Sequence, residues 1–273
     1  MLRSLGMKSR LFPALLRYWR DRRGLSQMEL ALGADVSARH LSFLESGRAQ
    51  PSEDMLLRLL SVLGVPLRDQ NEALVAAGFD ARFAEPPLDD ISAIVDGAIA
   101  QMMAQHEPFP MSVLALDGTI LRSNRAARAL LDAFAADRAA LGSARDVYSL
   151  FFDPRLLRPF VIDWETLARS MLSRLHRDAL LRADARLAAR LDDVLAFPGV
   201  PAAWRHPDFA AETPPVFHIF LERGDLRVRF LIAVTTFLAP RQVTVDELRV
   251  EACFPLDVET RAACDRLTKR TAG

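Results

Sequence analysis

No stretch of this 273-residue chain approaches the roughly 18 to 20 consecutive apolar residues that a membrane-spanning helix needs. The opening "MLRSLGMKSRLFPALL" sets basic residues before a short apolar patch. Charges resume at once in "RYWRDRRG" and no small-residue cleavage site follows, so a cytoplasmic protein without membrane attachment is expected. Cysteine is scarce. Cys253 and Cys264 are too few and too late in the chain to staple a secreted scaffold, and no CxxC or HxxxH spacing offers a metal site. No nucleophile elbow, Gly-rich phosphate loop or paired catalytic carboxylates emerges either, so neither an enzyme nor a cofactor is expected. Glycine is sparse and 51% of residues are hydrophobic, which argues for globular cores and against disorder.

Net charge is also absent, at zero for the whole chain, but its distribution is uneven. Residues 1–50 hold nine Lys/Arg against four acids, so the remainder carries an equal excess of acid. A basic block on a neutral protein points to one part that meets a polyanion and another that does not.

The first 79 residues read as five short helices. "LFPALLRYWRDRRG" places Leu11, Leu15, Leu16 and Trp19 on one stripe and stops at Gly24. "SQMELALGA" opens on a capping box of Ser26 and Glu29, and a turn over Ala34–Val36 leads into "SARHLSFLESGR". That segment begins at a capping residue, Ser37, and ends at Gly47, with Leu41 and Leu44 sharing a face with Ser37. Arg39 and Phe43 lie opposite, flanked by His40, Ser42 and Ser46. "SEDMLLRLLSVLG" starts at Ser52 with two acids in its first turn, where the helix dipole favours them, and "PLRDQNEALVAAGF" follows Pro66.

Two helices joined by a tight turn, the second holding polar and cationic side chains outward, form a helix-turn-helix whose second helix enters the DNA major groove. Arg39 has the planar fork that reads guanine O6 and N7 together. Phe43 suits a thymine methyl, and Ser37, His40 and Ser42 suit base edges or phosphates. Gln27, at the start of the preceding helix, is placed for a phosphate, as are Arg48 and Ser52 on the flanking backbone.

Residues "RRGLSQMELA", "VSARHLSFLESGR", "PS" and "LLSVLGV" resemble the five-helix, lambda-repressor-like DNA-binding domain of the xenobiotic-response-element (XRE) family, over about 55 residues. Asp35 stands where that family usually has Gly, a departure that Asp tolerates better than most residues. The resemblance implies a transcription regulator on double-stranded DNA. A single small unit of this kind reads few base pairs, so a homodimer on paired half-sites is expected.

"AEPPLDD" breaks the helical regime at its two prolines, giving a boundary reading of 1–83 for the DNA-binding domain, 84–89 for a linker and 90–268 for a second domain. After a helix over about 90–104, "PMSVLALDGTILRSN" is a hairpin turning at Asp117-Gly118, and a helix follows from Asn124. Helices dominate 143–196. Three strand candidates close the chain: "PVFHIFLER", "LRVRFLIAVTTFL" and "VTVDELRVEACF". The pattern predicts an α+β domain with an antiparallel sheet.

"LALDGTILRSNRAARALL" resembles the start of PAS-type sensor domains. With "LLRPFVIDWETLARSMLSRLHRDAL", "GVPAAW" and "TTFLAPRQVTVDELRVEACFPLD", residues 90–268 resemble the MmyB-like ligand-binding domain. That implies a PAS-like fold holding a small apolar ligand, with a fatty acid among those attributed to the family. The residues themselves suggest a central strand, Leu231–Leu238, apolar on both faces. Either Phe230, Ile232 and Val234 or Leu231, Ala233 and Thr235 then face a cavity, with His218 and Asn124 as further candidate contacts. Two alternatives stay open: an antitoxin-like protein whose second domain binds a protein partner, and a packed dimerisation domain without ligand.

Overall fold

Ser26, Ser37 and Ser52 each begin a helix in the same way. Each takes extended backbone geometry, and its hydroxyl accepts the backbone N–H three residues on, from Glu29, His40 and Met55. Caps of this kind contribute about 1 kcal/mol each and fix where short helices start. The computed structural model describes residues 2–182, 184–206 and 216–270. Its amino-terminal helices are α1 (Leu2–Arg22), α2 (Gln27–Gly33), α3 (Ala38–Glu45), α4 (Glu53–Val62) and α5 (Leu67–Ala77).

Asp35, between α2 and α3, sits at φ 54°, the left-handed geometry that its place in the turn demands. The core joins Phe12, Leu16 and Trp19 of α1 to Leu30, Leu41, Leu44, Leu56, Leu59 and Leu74, all nearly inaccessible. One sequence expectation shifts here. Leu11 is 51% exposed, and Phe12 takes the core position on the α1 stripe.

The chain divides into two units. Met1–Pro87 cluster with the distant segment Ala239–Asp246, and Leu88–Leu238 cluster with Glu247–Gly273. Within the first unit, Ala84 bridges Gln242 in parallel, Val243 N–H donates to the Ala84 carbonyl at 2.9 Å, and Thr244 Oγ1 donates to the Pro86 carbonyl. The proline-rich stretch is therefore held at its start by backbone pairing.

The second unit contains a five-stranded antiparallel sheet and its helices. The strands are β1 (Met111–Leu114), β2 (Ile120–Ser123), β3 (His218–Arg223), β4 (Leu226–Thr235) and β5 (Arg249–Pro255), in the order β2-β1-β5-β4-β3. Helices α6 (Ala93–His106), α7 (Arg125–Phe134), α8 (Arg138–Leu141), α9 (Val147–Phe152), α10 (Trp164–Arg182) and α11 (Ala185–Leu195) precede β3. Helix α12 (Val243–Glu247), which clusters with the first unit up to Asp246, precedes β5, and α13 (Val258–Arg270) ends the described chain. This is the expected α+β, PAS-like architecture behind an all-α domain.

Both hairpins turn where the sequence indicated. Gly118 and Gly224 hold positive φ, and Arg223 pairs with Leu226 across the second turn. Three strand expectations need correction. "VTVDE" is α12, a helix, so β5 starts only at Arg249. The central strand is β5, with β4 one place from the edge, because β1 inserts on the far side of β5. β4 ends at Thr235, and Leu238 is 98% exposed. Pro215, the first residue of the third-last strand candidate, lies outside the described residues.

Candidate functional site

Helix α3 buries Leu41 and Leu44 and leaves Arg39 exposed, with His40, Ser42 and Phe43 partly so. The Arg39 guanidinium lies 5.5 Å from the Phe43 ring centre, one helical turn on, so the two form a single cationic–aromatic edge. The Ser37 hydroxyl caps the helix against His40 N–H, and the Ser52 hydroxyl caps α4 against Met55 N–H. A hydroxyl retains a donor hydrogen while accepting, so both can still reach a phosphate. Arg48 is exposed just past the α3 end, its backbone N–H bonded to the Phe43 carbonyl.

The orientation of α3 is set from below by one carboxylate that the sequence reading did not single out. Glu45, 3% exposed, accepts from Arg20 Nε at 2.6 Å and Arg20 Nη2 at 3.0 Å, and from Gln27 Nε2 at 2.8 Å. Burial pushes its carboxyl upward, but the hydrogen bonds from Arg20 and Gln27 and the charges of Arg20 and Arg17 outweigh it and hold Glu45 below the usual carboxylate range. This triad ties α1, α2 and α3 together. One of the two Gln27 amide hydrogens is committed to Glu45, which leaves the other for the phosphate contact expected of it. Arg23 likewise donates to the Leu63 and Gly64 carbonyls. Much of the basic excess therefore holds the fold, and Arg39 and Arg48 are outward cations of the helix-turn-helix.

In the second unit a cavity of about 130 Å³ lies among the sheet, α7, α9 and α10. At 10 to 15 Å³ for each water-sized sphere, that is room for roughly ten waters, beyond the small voids of a packed core. The sheet contributes alternate residues. Ile219 and Leu221 come from β3, Phe230 and Ile232 from β4, and Arg249, Glu251 and Cys253 from β5. Leu130 and Leu131 of α7, Phe151 of α9 and Met171 of α10 close the other walls. The even-numbered face of β4 is thus the cavity face, which settles the choice between the two alternating sets.

Three of the expected ligand contacts fall elsewhere. Val234 shares that face, paired with Glu251, but is 39% exposed and does not line the cavity. His218 borders a separate surface depression with Ile162 and Phe220. Asn124, 5% exposed, spends most of its amide on the backbone. Its Oδ1 accepts from Met111 N–H and Ala127 N–H, and its Nδ2 donates to the Phe109 carbonyl at 2.8 Å. It is the cap of α7 and a brace between β1 and that helix, and it does not line the cavity.

The cavity has a polar end that sequence reasoning missed. Arg174 and Asp178, one turn apart on α10, line it with Tyr148 of α9 and Glu251 of β5. Arg174 Nη1 is 3.6 Å from Glu251 Oε1, too far for a hydrogen bond. Burial raises the Glu251 carboxyl above its usual range, with Arg174 opposing, and raises the Tyr148 phenol so that it remains a neutral hydroxyl. Gly118 fits Tyr148 into place. A Cβ there would meet Tyr148 Cε2 at 2.6 Å, and the glycine's φ of 83° suits no other residue well. Two signals were available in the sequence: the charged alternation Arg249, Glu251 in an otherwise apolar strand, and the Met171, Arg174, Asp178 spacing along one helix face.

Comparison with known proteins agrees with this division. Residues 95–267 match the family described as "MmyB-like transcription regulator ligand binding domain", and residues 16–70 match the family described as "Helix-turn-helix". No curated protein matches the chain. A solved structure titled "Structure of an RNA-binding Light-Oxygen-Voltage Receptor" is similar at 15% identity and a TM-score of 0.30 over 95% of this chain. The chain spans 57% of that protein's length, and a likeness this weak carries no argument.

Proposed function

Since the chain belongs to the MmyB-like transcription regulators, with a helix-turn-helix at residues 16–70, we propose that it is a sequence-specific regulator that reads double-stranded DNA with α3 and senses a small, largely apolar ligand in the cavity of its second unit. The observation that carries the first half is the exposed Arg39–Phe43 edge on a helix whose other face is buried. Arg39 takes a guanine, Phe43 a thymine methyl, and His40, Ser42 and Ser37 neighbouring base edges or phosphates. Arg48, Ser52 and the second Gln27 amide hydrogen hold the flanking register on phosphates. The protein acts as a homodimer on two half-sites about one helical turn apart. It works beside the DNA in the cytoplasm and is not an enzyme. Among the described residues no helix is long and apolar enough to cross a membrane.

The cavity supports the second half against a fully packed dimerisation domain. Phe230 and Ile232 are its floor on the sheet side, and a fatty acid is one ligand whose tail suits such walls. A ligand here shifts DNA affinity only by its differential affinity for the two conformations.

The test is selection of bound sequences from a random duplex pool, followed by affinity measurements on the selected site. Arg39→Ala is expected to cost about 1–3 kcal/mol and to relax preference at one base. Arg48→Ala should weaken all sequences evenly and lower the salt slope by about one. No selected sequence, or an Arg39→Ala protein with unchanged affinity and preference, overturns the groove assignment.

A further inference from the structure

At the polar end of the cavity, hydrogen-bonding groups face open space with no partner in the described chain. Glu251 makes no hydrogen bond among the described residues and stands 3.6 Å from Arg174, which makes none either. The Tyr148 hydroxyl and the Asp178 carboxylate, also on the lining, are likewise without hydrogen-bond partners among the described residues. Arg249 also lines this end and is itself engaged, its Nη1 donating to the Leu248 carbonyl. Arg174 and Glu251 keep 40% and 21% of their side-chain surface, so water meets them in the empty cavity and a ligand head group would take its place.

The inventory constrains the answer. Two arginines and two carboxylates line the space, so the charge of the lining is balanced before any ligand enters. An arginine only donates and an ionised carboxylate only accepts. A carboxylate head satisfies Arg174 but is opposed by Glu251 and Asp178, and an ammonium head satisfies the acids but is opposed by both arginines. A neutral group with both a carbonyl and an N–H answers Arg174 and Glu251 together, and the Tyr148 hydroxyl can serve either atom. Resting on the ligand-cavity reading above, we propose that this site takes a neutral amide head on an apolar tail, the carbonyl held by Arg174 and the N–H by Glu251, in preference to a fatty acid.

Calorimetric titration of the delipidated full-length protein with decanamide, decanoic acid and methyl decanoate at neutral pH tests this. Decanamide is expected to bind at least about tenfold more tightly than either of the others, because a site built to pair an N–H rejects the analogue that lacks it. Glu251→Gln should narrow that advantage severalfold, since an acid head on Arg174 then meets one opposing carboxylate, Asp178, instead of two. Decanoic acid binding as tightly as decanamide to the natural protein overturns the head-group inference and leaves the cavity reading standing. A Glu251→Gln protein with the same ratio of decanamide to decanoic acid affinity as the natural one overturns it as well. If none of the three probes binds, the cavity reading itself fails.

Discussion

The two units solve opposite packing problems. In the amino-terminal unit the interior is filled, and its one buried carboxylate, Glu45, is held by Arg20 and Gln27 at hydrogen-bond distance. The groups left over, Arg39, Phe43 and Arg48, face out. In the carboxyl-terminal unit part of the interior is left open, and one carboxylate on its lining, Glu251, is only loosely met by Arg174. A filled core with matched charges makes a rigid platform for an external polyanion. An unfilled core with unmatched polar groups is stable enough to fold and poor enough in internal partners to accept a guest.

The sharpest way to break this contrast is to remove Glu45. Glu45→Ala removes the bidentate carboxylate from the largely buried Arg20, which keeps only Asp21 and the Leu25 carbonyl, and this is expected to cost about 3 kcal/mol and to unfold the first unit while the second still binds its probe. Two calorimetric transitions, with only one lost, are the expected result. Retention of both means the triad does not carry the orientation of α3.

The same enlargement placed in each core compares filling directly. Ala31 in α2 is 2% exposed and Ala127 in α7 is 6% exposed on the cavity wall. Ala31→Leu should cost about 1–3 kcal/mol by overpacking, whereas Ala127→Leu should cost less than about 1 kcal/mol because the added atoms enter open volume. Equal losses in denaturant unfolding would mean that the two cores are equally full.

The smallest effect is in pH, and it has opposite signs in the two units. Glu45 is held below its usual value of about 4.3, so its contribution is complete above that value and fades as pH falls through it toward the folded value. Glu251 is raised, so the folded state holds its proton more tightly than the unfolded state. Its unit gains stability as pH falls from above the raised value to the usual one. Separate melting of the two units between about pH 7 and 4 should show the second gaining first and the first losing last. Parallel curves would contradict the assignment.

The sequence carried more of one unit than of the other for the same reason that they differ. Caps, the turn at Asp35 and the Leu41–Leu44 stripe are local signals, so the helix-turn-helix and its outward face were legible residue by residue. The cavity is a long-range object. Glu251 meets Arg174 across 77 positions of chain, and no local period announces that two elements will bring them together. Strand order was hidden likewise: "VTVDE" has strand-like composition, yet it forms a helical turn ahead of β5. Asn124 was visible as a special residue, but only the fold shows that its amide braces backbone on both sides of α7's start. Glu45 was overlooked because an acid on a helix reads as solvated until its depth is known.

The most direct test of the whole account is operator affinity of delipidated protein, measured by fluorescence anisotropy with and without saturating decanamide, for the natural chain and for Ala127→Phe. The account predicts a shift of about fivefold or more in the natural protein, within the usual range of coupling between two sites, and no shift once the phenyl ring occupies the cavity. Identical operator affinities with and without demonstrably bound decanamide, or an equal shift in Ala127→Phe, would contradict it.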